Sequence, residues 1–137
     1  MASRLGNVLI VEDEAMLVFE LTGALTEMGY DVLEPAATGE DAVRLAEKHR
    51  PDVVVMDVSL SGEMSGTQAA QVIHDRLRIP IVYLTGYANR ATIAEIRMAG
   101  GGEVLGKPLE IKQLDAAIQQ ALERRRGNQG NLRFDGA

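Results

Sequence analysis

Three short runs of apolar, mostly β-branched residues constrain this chain more than anything else in it: Val8-Leu9-Ile10-Val11, Val53-Val54-Val55-Met56 and, after Pro80, Ile81-Val82-Tyr83-Leu84. Each is too short for a buried helix and lacks polar alternation, so each reads as a strand covered on both faces. Asp31–Leu33 and Glu103–Leu105 are weaker strand patterns. Between the strands, apolar residues recur at helical spacing. Leu17, Leu21, Ala24, Leu25 and Met28 run up to a stop at Gly29, and Ala42, Leu45 and Ala46 end before Pro51. Ala69, Val72, Ile73 and Leu77 mark a third helix. Ile93 and Ile96 mark a fourth, closed by Gly100 to Gly102, and Ile111, Leu114, Ala117, Ile118 and Ala121 mark a fifth. Strict βα alternation, five times over, predicts an α/β fold: a doubly wound five-stranded parallel sheet with helices on both faces. No internal repeat is evident.

The 137 residues suit one domain, expected over 1–126, and residues 127–137, rich in Gly and Asn, read as a flexible C-terminal tail. Arg124, Arg125 and Arg126 precede that tail; they suit a helix C-terminus or a docking patch for a partner. The net charge of -6 disfavours direct nucleic-acid binding, which needs a basic surface. With no cysteine, disulfides, thiolate metal sites and cysteine nucleophiles are excluded. The N-terminal apolar run of four residues, Val8 to Val11, is too short for a membrane span or a signal peptide, so a cytoplasmic location is expected.

In an open parallel sheet, chemistry gathers at the carboxyl ends of the strands. The sequence sends Glu12, Asp13 and Glu14 there after the first strand, Asp57 after the third, Thr85 and Gly86 after the fourth, and Lys107 with Pro108 after the fifth. Clustered carboxylates repel, by about 4 kcal/mol at 4 Å and an effective dielectric of about 20, and need compensation. Lys107 supplies one positive charge, and a hard, oxygen-seeking divalent cation such as Mg²⁺ supplies two more. With the Thr85 hydroxyl, the rim becomes a cradle for a phosphoryl group. Carboxylates can attack phosphorus, and Asp57, ending the most apolar strand, is the best held of the three. Taken singly these residues have plainer readings: a solvated turn for Glu12-Asp13, a cap for Asp57 or Thr85. Their joint arrival at one rim is the signal.

The motifs Val-Leu-Ile-Val-Glu-Asp-Glu (Val8 to Glu14), Pro-Asp-Val-Val-Val-Met-Asp (Pro51 to Asp57), Tyr-Leu-Thr-Gly-Tyr (Tyr83 to Tyr87) and Gly-Lys-Pro-Leu (Gly106 to Leu109) resemble those of response-regulator receiver domains of two-component signalling. The resemblance spans about Asn7 to Arg125 and implies a flavodoxin-like sheet order, 2-1-3-4-5. It also implies roles. Asp57 accepts a phosphoryl group from a histidine kinase or phosphotransfer protein. Asp13, Asp57 and the Ser59 carbonyl bind Mg²⁺, with Glu12 acting through a metal-bound water. Thr85, Lys107 and the backbone N–H groups of Val58 and Gly86 contact the phosphoryl oxygens. Such a protein is not an enzyme; alone, it would signal through contact with a downstream protein.

The chain departs from the family pattern at informative places. An aromatic residue usually stands three before the lysine, and here that position is Val104. The loop after Asp57 lacks a common proline and looks about one residue longer. Thr-Gly-Tyr resembles, in part, a subgroup with a Phe-Ala-Thr-Gly-X-Tyr-like motif. Tyr87 is either a replacement switch or a cover for the pocket. Val104 also supports an alternative function, a phosphorylation-independent binding module on the same fold. An aspartyl phosphatase is disfavoured because Ser59 stands where such enzymes carry a second acid.

Overall fold

A computed structural model describes residues 5–86 and 90–136, with the side chains of the last helix described as far as Arg125. Ten elements alternate: β1 (Asn7–Val11), α1 (Ala15–Met28), β2 (Asp31–Val32), α2 (Gly39–His49), β3 (Val53–Asp57), α3 (Gly66–Leu77), β4 (Ile81–Thr85), α4 (Arg90–Met98), β5 (Glu103–Gly106) and α5 (Ile111–Gly136). All five strands are parallel, in the order β2-β1-β3-β4-β5. This is the flavodoxin-like, doubly wound sheet that the alternation and the resemblance predict. β3 and β4 are buried along their whole length, and that is why their sequences are unbroken apolar runs.

The period-2 alternation within each strand divides the core into two layers. Val8, Ile10, Val53, Val55, Val82 and Leu84 face α1 and α5, where they meet Leu21, Leu25, Leu114 and Ile118. Leu9, Val11, Val54, Met56, Ile81 and Tyr83 face the other way, against Ala42, Leu45, Ala69, Ile73 and Ile96 of α2, α3 and α4. Each of the larger buried aliphatic side chains contributes about 1.5–3 kcal/mol relative to exposure. The layers are unequal. α4 buries only Ile96, whereas α3 buries Thr67, Ala69, Ala70 and Ile73 along with Gly66.

Helix ends follow local chemistry. Thr38 accepts a hydrogen bond from the Asp41 N–H, and Ser65 and Gln68 form a reciprocal capping box at the start of α3. Gly29 ends α1 at φ 105°, a left-handed conformation that a β-carbon would strain.

At the C-terminus α5 continues past Arg126 to Gly136, through the residues expected as a tail. Arg124 and Arg125 therefore lie within the helix, not at its end. Arg124 pairs with Glu103 at 3.0 Å, and Arg125 donates to the carbonyls of Asp52 (3.2 Å) and Pro51 (3.3 Å). These two side chains fasten α5 to β5 and to the loop before β3. Among the described residues no helix is long and apolar enough to cross a membrane.

Candidate functional site

β1 lies between β2 and β3, so the order of travel across the sheet reverses there and leaves a crevice at the carboxyl ends of β1 and β3. The carboxyl end of β1 delivers Glu12 and Asp13, and that of β3 delivers Asp57. Carboxylate oxygens of the three lie within 4.8 Å of one another. Glu12 and Asp57 are buried, at 3% and 2% exposure, while Asp13 opens to solvent. From β5, Lys107 reaches over them: its Nζ is 3.2 Å from Glu12 Oε1 and 3.5 Å from Asp57 Oδ2. Thr85 is buried at the end of β4, one residue beyond the Asp57–Leu84 register pair, and its carbonyl accepts the Lys107 N–H at 2.9 Å. The four strand ends named by the sequence thus converge.

The electrostatics are under-compensated. Burial, with the Asp57 charge adding to it, raises the Glu12 carboxyl above its ordinary value, against the lowering effect of the Glu14 N–H and Lys107. For Lys107 burial works against the charge, but the hydrogen bond to Glu12 and the charges of Asp57 and Glu12 outweigh it, and its pKa is raised. Asp13 is the opposite case. The Ser61 hydroxyl donates to Asp13 Oδ2 at 2.8 Å and the Ser61 N–H to the same oxygen at 3.2 Å, and these bonds lower its pKa. Three carboxylates facing one ammonium make a donor set of hard oxygens that suits Mg²⁺.

The Val58 amide does not face the site as expected. Its N–H donates to the Leu84 carbonyl at 2.9 Å, because β3 and β4 are still hydrogen-bonded one residue past Asp57. The amide that reaches the carboxylate is that of Ser59, which donates to Asp57 Oδ1 at 2.9 Å. Gly86 follows Thr85 at the rim, exposed, with open space beside its Cα. Tyr87 lies outside the described residues. Val104 is half-buried and sits in register with Tyr83 on the neighbouring strand. The Tyr83 ring is fully buried, and its hydroxyl is the buried side-chain polar atom without a partner among the described residues.

Two residues at the site were not singled out from sequence. Ser61 is one; a serine in a loop carries no signal until the loop closes on Asp13. Gly66 is the other. A β-carbon there would stand 2.1 Å from the Asp57 carbonyl oxygen, so the first turn of α3 can lie against the Asp57 backbone only with glycine. Its signal was available: a glycine between a serine cap and the apolar face of a helix.

Comparison with known proteins places these observations. The family model described as response regulator receiver domain matches residues 8–119. The transcriptional regulatory protein PdtaR of Mycobacterium tuberculosis is 41% identical over 118 residues, covering 86% of this chain and 57% of that protein. The chain spans about half the length of the curated relatives it matches. Among solved structures, the signal receiver domain of a modulated diguanylate cyclase from Desulfovibrio desulfuricans G20 matches with a TM-score of 0.85 and 31% identity, over 90% of this chain and 98% of that one. The receiver domain of a sensor histidine kinase from Pseudomonas aeruginosa PAO1, with a magnesium ion coordinated in its active-site cleft, matches with a TM-score of 0.77 and 30% identity, over 86% and 98%.

Proposed function

This chain belongs to the response-regulator receiver family, and from that premise we propose that Asp57 accepts a phosphoryl group from a histidine kinase or phosphotransfer protein in a Mg²⁺-dependent step. The observation that carries the reading is the pair of buried carboxylates, Glu12 and Asp57, sharing the single ammonium of Lys107. A fold tolerates such a pair when the site has charge to receive.

In the step itself, a carboxylate oxygen of Asp57 attacks phosphorus. The phosphorus–nitrogen bond of the donor phosphohistidine breaks, and the imidazole leaves with the electron pair. Asp13, Asp57 and the Ser59 carbonyl would hold Mg²⁺, with Glu12 acting through a water, and the bound cation would supply positive charge to offset that of the phosphoryl oxygens. Lys107, freed from sharing two carboxylates, pairs with a phosphoryl oxygen. In this reading the Thr85 hydroxyl and the Gly86 N–H donate to others, and the Ser59 N–H, which meets Asp57 Oδ1 at 2.9 Å, stands beside the forming bond. The strand ends bring Asp57, Thr85 and Lys107 to one rim before the donor arrives, so the step asks mainly for Lys107 to change partner. The product is an acyl phosphate that alters contact with a downstream protein by shifting a conformational equilibrium.

A second reading, a phosphorylation-independent binding module, draws on Val104, where the aromatic partner of Thr85 is missing. One experiment separates the two. Intact mass is measured after incubation with Mg²⁺ and a small phosphodonor, for the wild type and Asp57→Asn. A single phosphoryl adduct that requires Mg²⁺ and vanishes in the variant supports the receiver chemistry. No adduct, together with no binding of beryllium fluoride in the presence of Mg²⁺, would leave the binding module as the better reading.

A further inference from the structure

The loop from Val58 to Ser65 joins the phosphoacceptor strand to α3 and is tied to the site at two points. At Ser59 the N–H donates to Asp57 Oδ1 at 2.9 Å. At Ser61 both the N–H (3.2 Å) and the hydroxyl (2.8 Å) donate to Asp13 Oδ2, across 48 residues of sequence. A carboxylate offers about four lone-pair positions; Ser61 occupies two, both on Oδ2, and leaves Oδ1 to bind elsewhere. The Ser59 carbonyl lies between the two ties. Asp13 is the exposed member of the carboxylate cluster and belongs to the segment between β1 and α1. The two Ser61 bonds outweigh the contacts of the Asp13 carboxylate with Glu12 and with its own backbone.

We infer that Ser61 is a positioning residue for the divalent cation: it holds the Asp13 carboxylate toward Glu12 and Asp57 and anchors the loop that carries the Ser59 carbonyl. The inference rests on the reading of this cluster as a Mg²⁺ site. It adds that one serine sets the site's affinity from outside the ligand shell. Groups that hydrogen-bond to ligating carboxylates typically change metal affinity by 10- to 100-fold when removed. A serine provides two donors here, its N–H and its hydroxyl.

The test is a Mg²⁺ titration of the whole chain followed by backbone ¹⁵N–¹H shifts, which report the dissociation constant and, from the same spectra, whether each variant is folded. Wild type, Ser61→Ala and Ser61→Thr are compared. The expected result is a dissociation constant roughly 10-fold weaker for Ser61→Ala, at the low end of the range because the N–H bond survives. Ser61→Thr, which keeps the hydroxyl, should stay within about twofold of wild type. A Ser61→Ala variant that binds as tightly as wild type, or more tightly, would overturn the inference while leaving the metal reading intact. A wild type whose shifts do not respond to Mg²⁺ at all would overturn the metal reading, and this inference with it.

Discussion

Replacing Lys107 with methionine removes one charge and keeps most of the aliphatic stem, so it isolates the electrostatics of the site. In the metal-free protein, Lys107 makes two ion pairs at 3.2 and 3.5 Å with carboxylates that are almost fully buried. At an effective dielectric of about 20 each attraction is worth roughly 5 kcal/mol before the cost of burial is subtracted. The variant will not lose the gross sum, because it has another way to shed charge. Glu12, already raised by burial and by Asp57, can take up a proton. From its ordinary value of 4.5 that costs, at pH 7, about 2.5 pH units at about 1.4 kcal/mol each, or roughly 3.4 kcal/mol. The expected loss is therefore about 2–3 kcal/mol at pH 7. The sign of its pH dependence follows from linkage. Without Lys107 the folded state holds a proton that the unfolded state has released, so the variant's stability falls as pH rises above 4.5. Lys107 itself contributes no slope between pH 5 and 8, since its stabilising charge is fully present below 10.5 and is lost only as pH rises through the raised folded value. Urea unfolding of both proteins in EDTA, at pH 5, 6, 7 and 8, gives the difference directly. It should shrink toward a few tenths of a kcal/mol at pH 5 and shrink again at pH 7 when Mg²⁺ is added. A loss that is the same at pH 5 and pH 7 and indifferent to Mg²⁺ would refute the argument, and would make Lys107 a packing residue.

Two further substitutions test the surroundings of the site. Gly66→Ala puts a β-carbon 2.1 Å from the Asp57 carbonyl oxygen, backbone that cannot step aside alone; α3 must shift, and a loss of more than about 2 kcal/mol by urea unfolding should come with a lower yield of phosphoryl adduct. Tyr83→Phe removes a buried hydroxyl that has no partner among the described residues, so urea unfolding should show the variant about 1 kcal/mol more stable with an unchanged m value, and a clear loss of stability would mean the hydroxyl is bonded after all.

Some of this protein was determined by its sequence alone. Val53–Met56 and Ile81–Leu84 are strands because an unbroken apolar run of that length has nowhere to go but the middle of a covered sheet, and both lie there. The same rule delivered Glu12, Asp13, Asp57, Thr85 and Lys107 to one rim, since residues that follow parallel strands emerge on the same edge. What the sequence left open depended on where individual hydrogen bonds are used. Val58 and Ser59 are adjacent amides with equal claims on the phosphoryl group. Only the β3–β4 ladder, running one residue past Asp57, takes the Val58 N–H and leaves that of Ser59 pointing at the carboxylate. Arg124 and Arg125 carry charge that suits a helix end, and only the packing of α5 turns them into fasteners for Glu103 and for the carbonyls before β3. Ser61 is silent until its loop folds back on a residue 48 positions away. Local pattern fixes which elements form and which edge their ends share. The partner of each donor and acceptor is settled by contacts distant in sequence, and in this site those contacts hold the carboxylates in place.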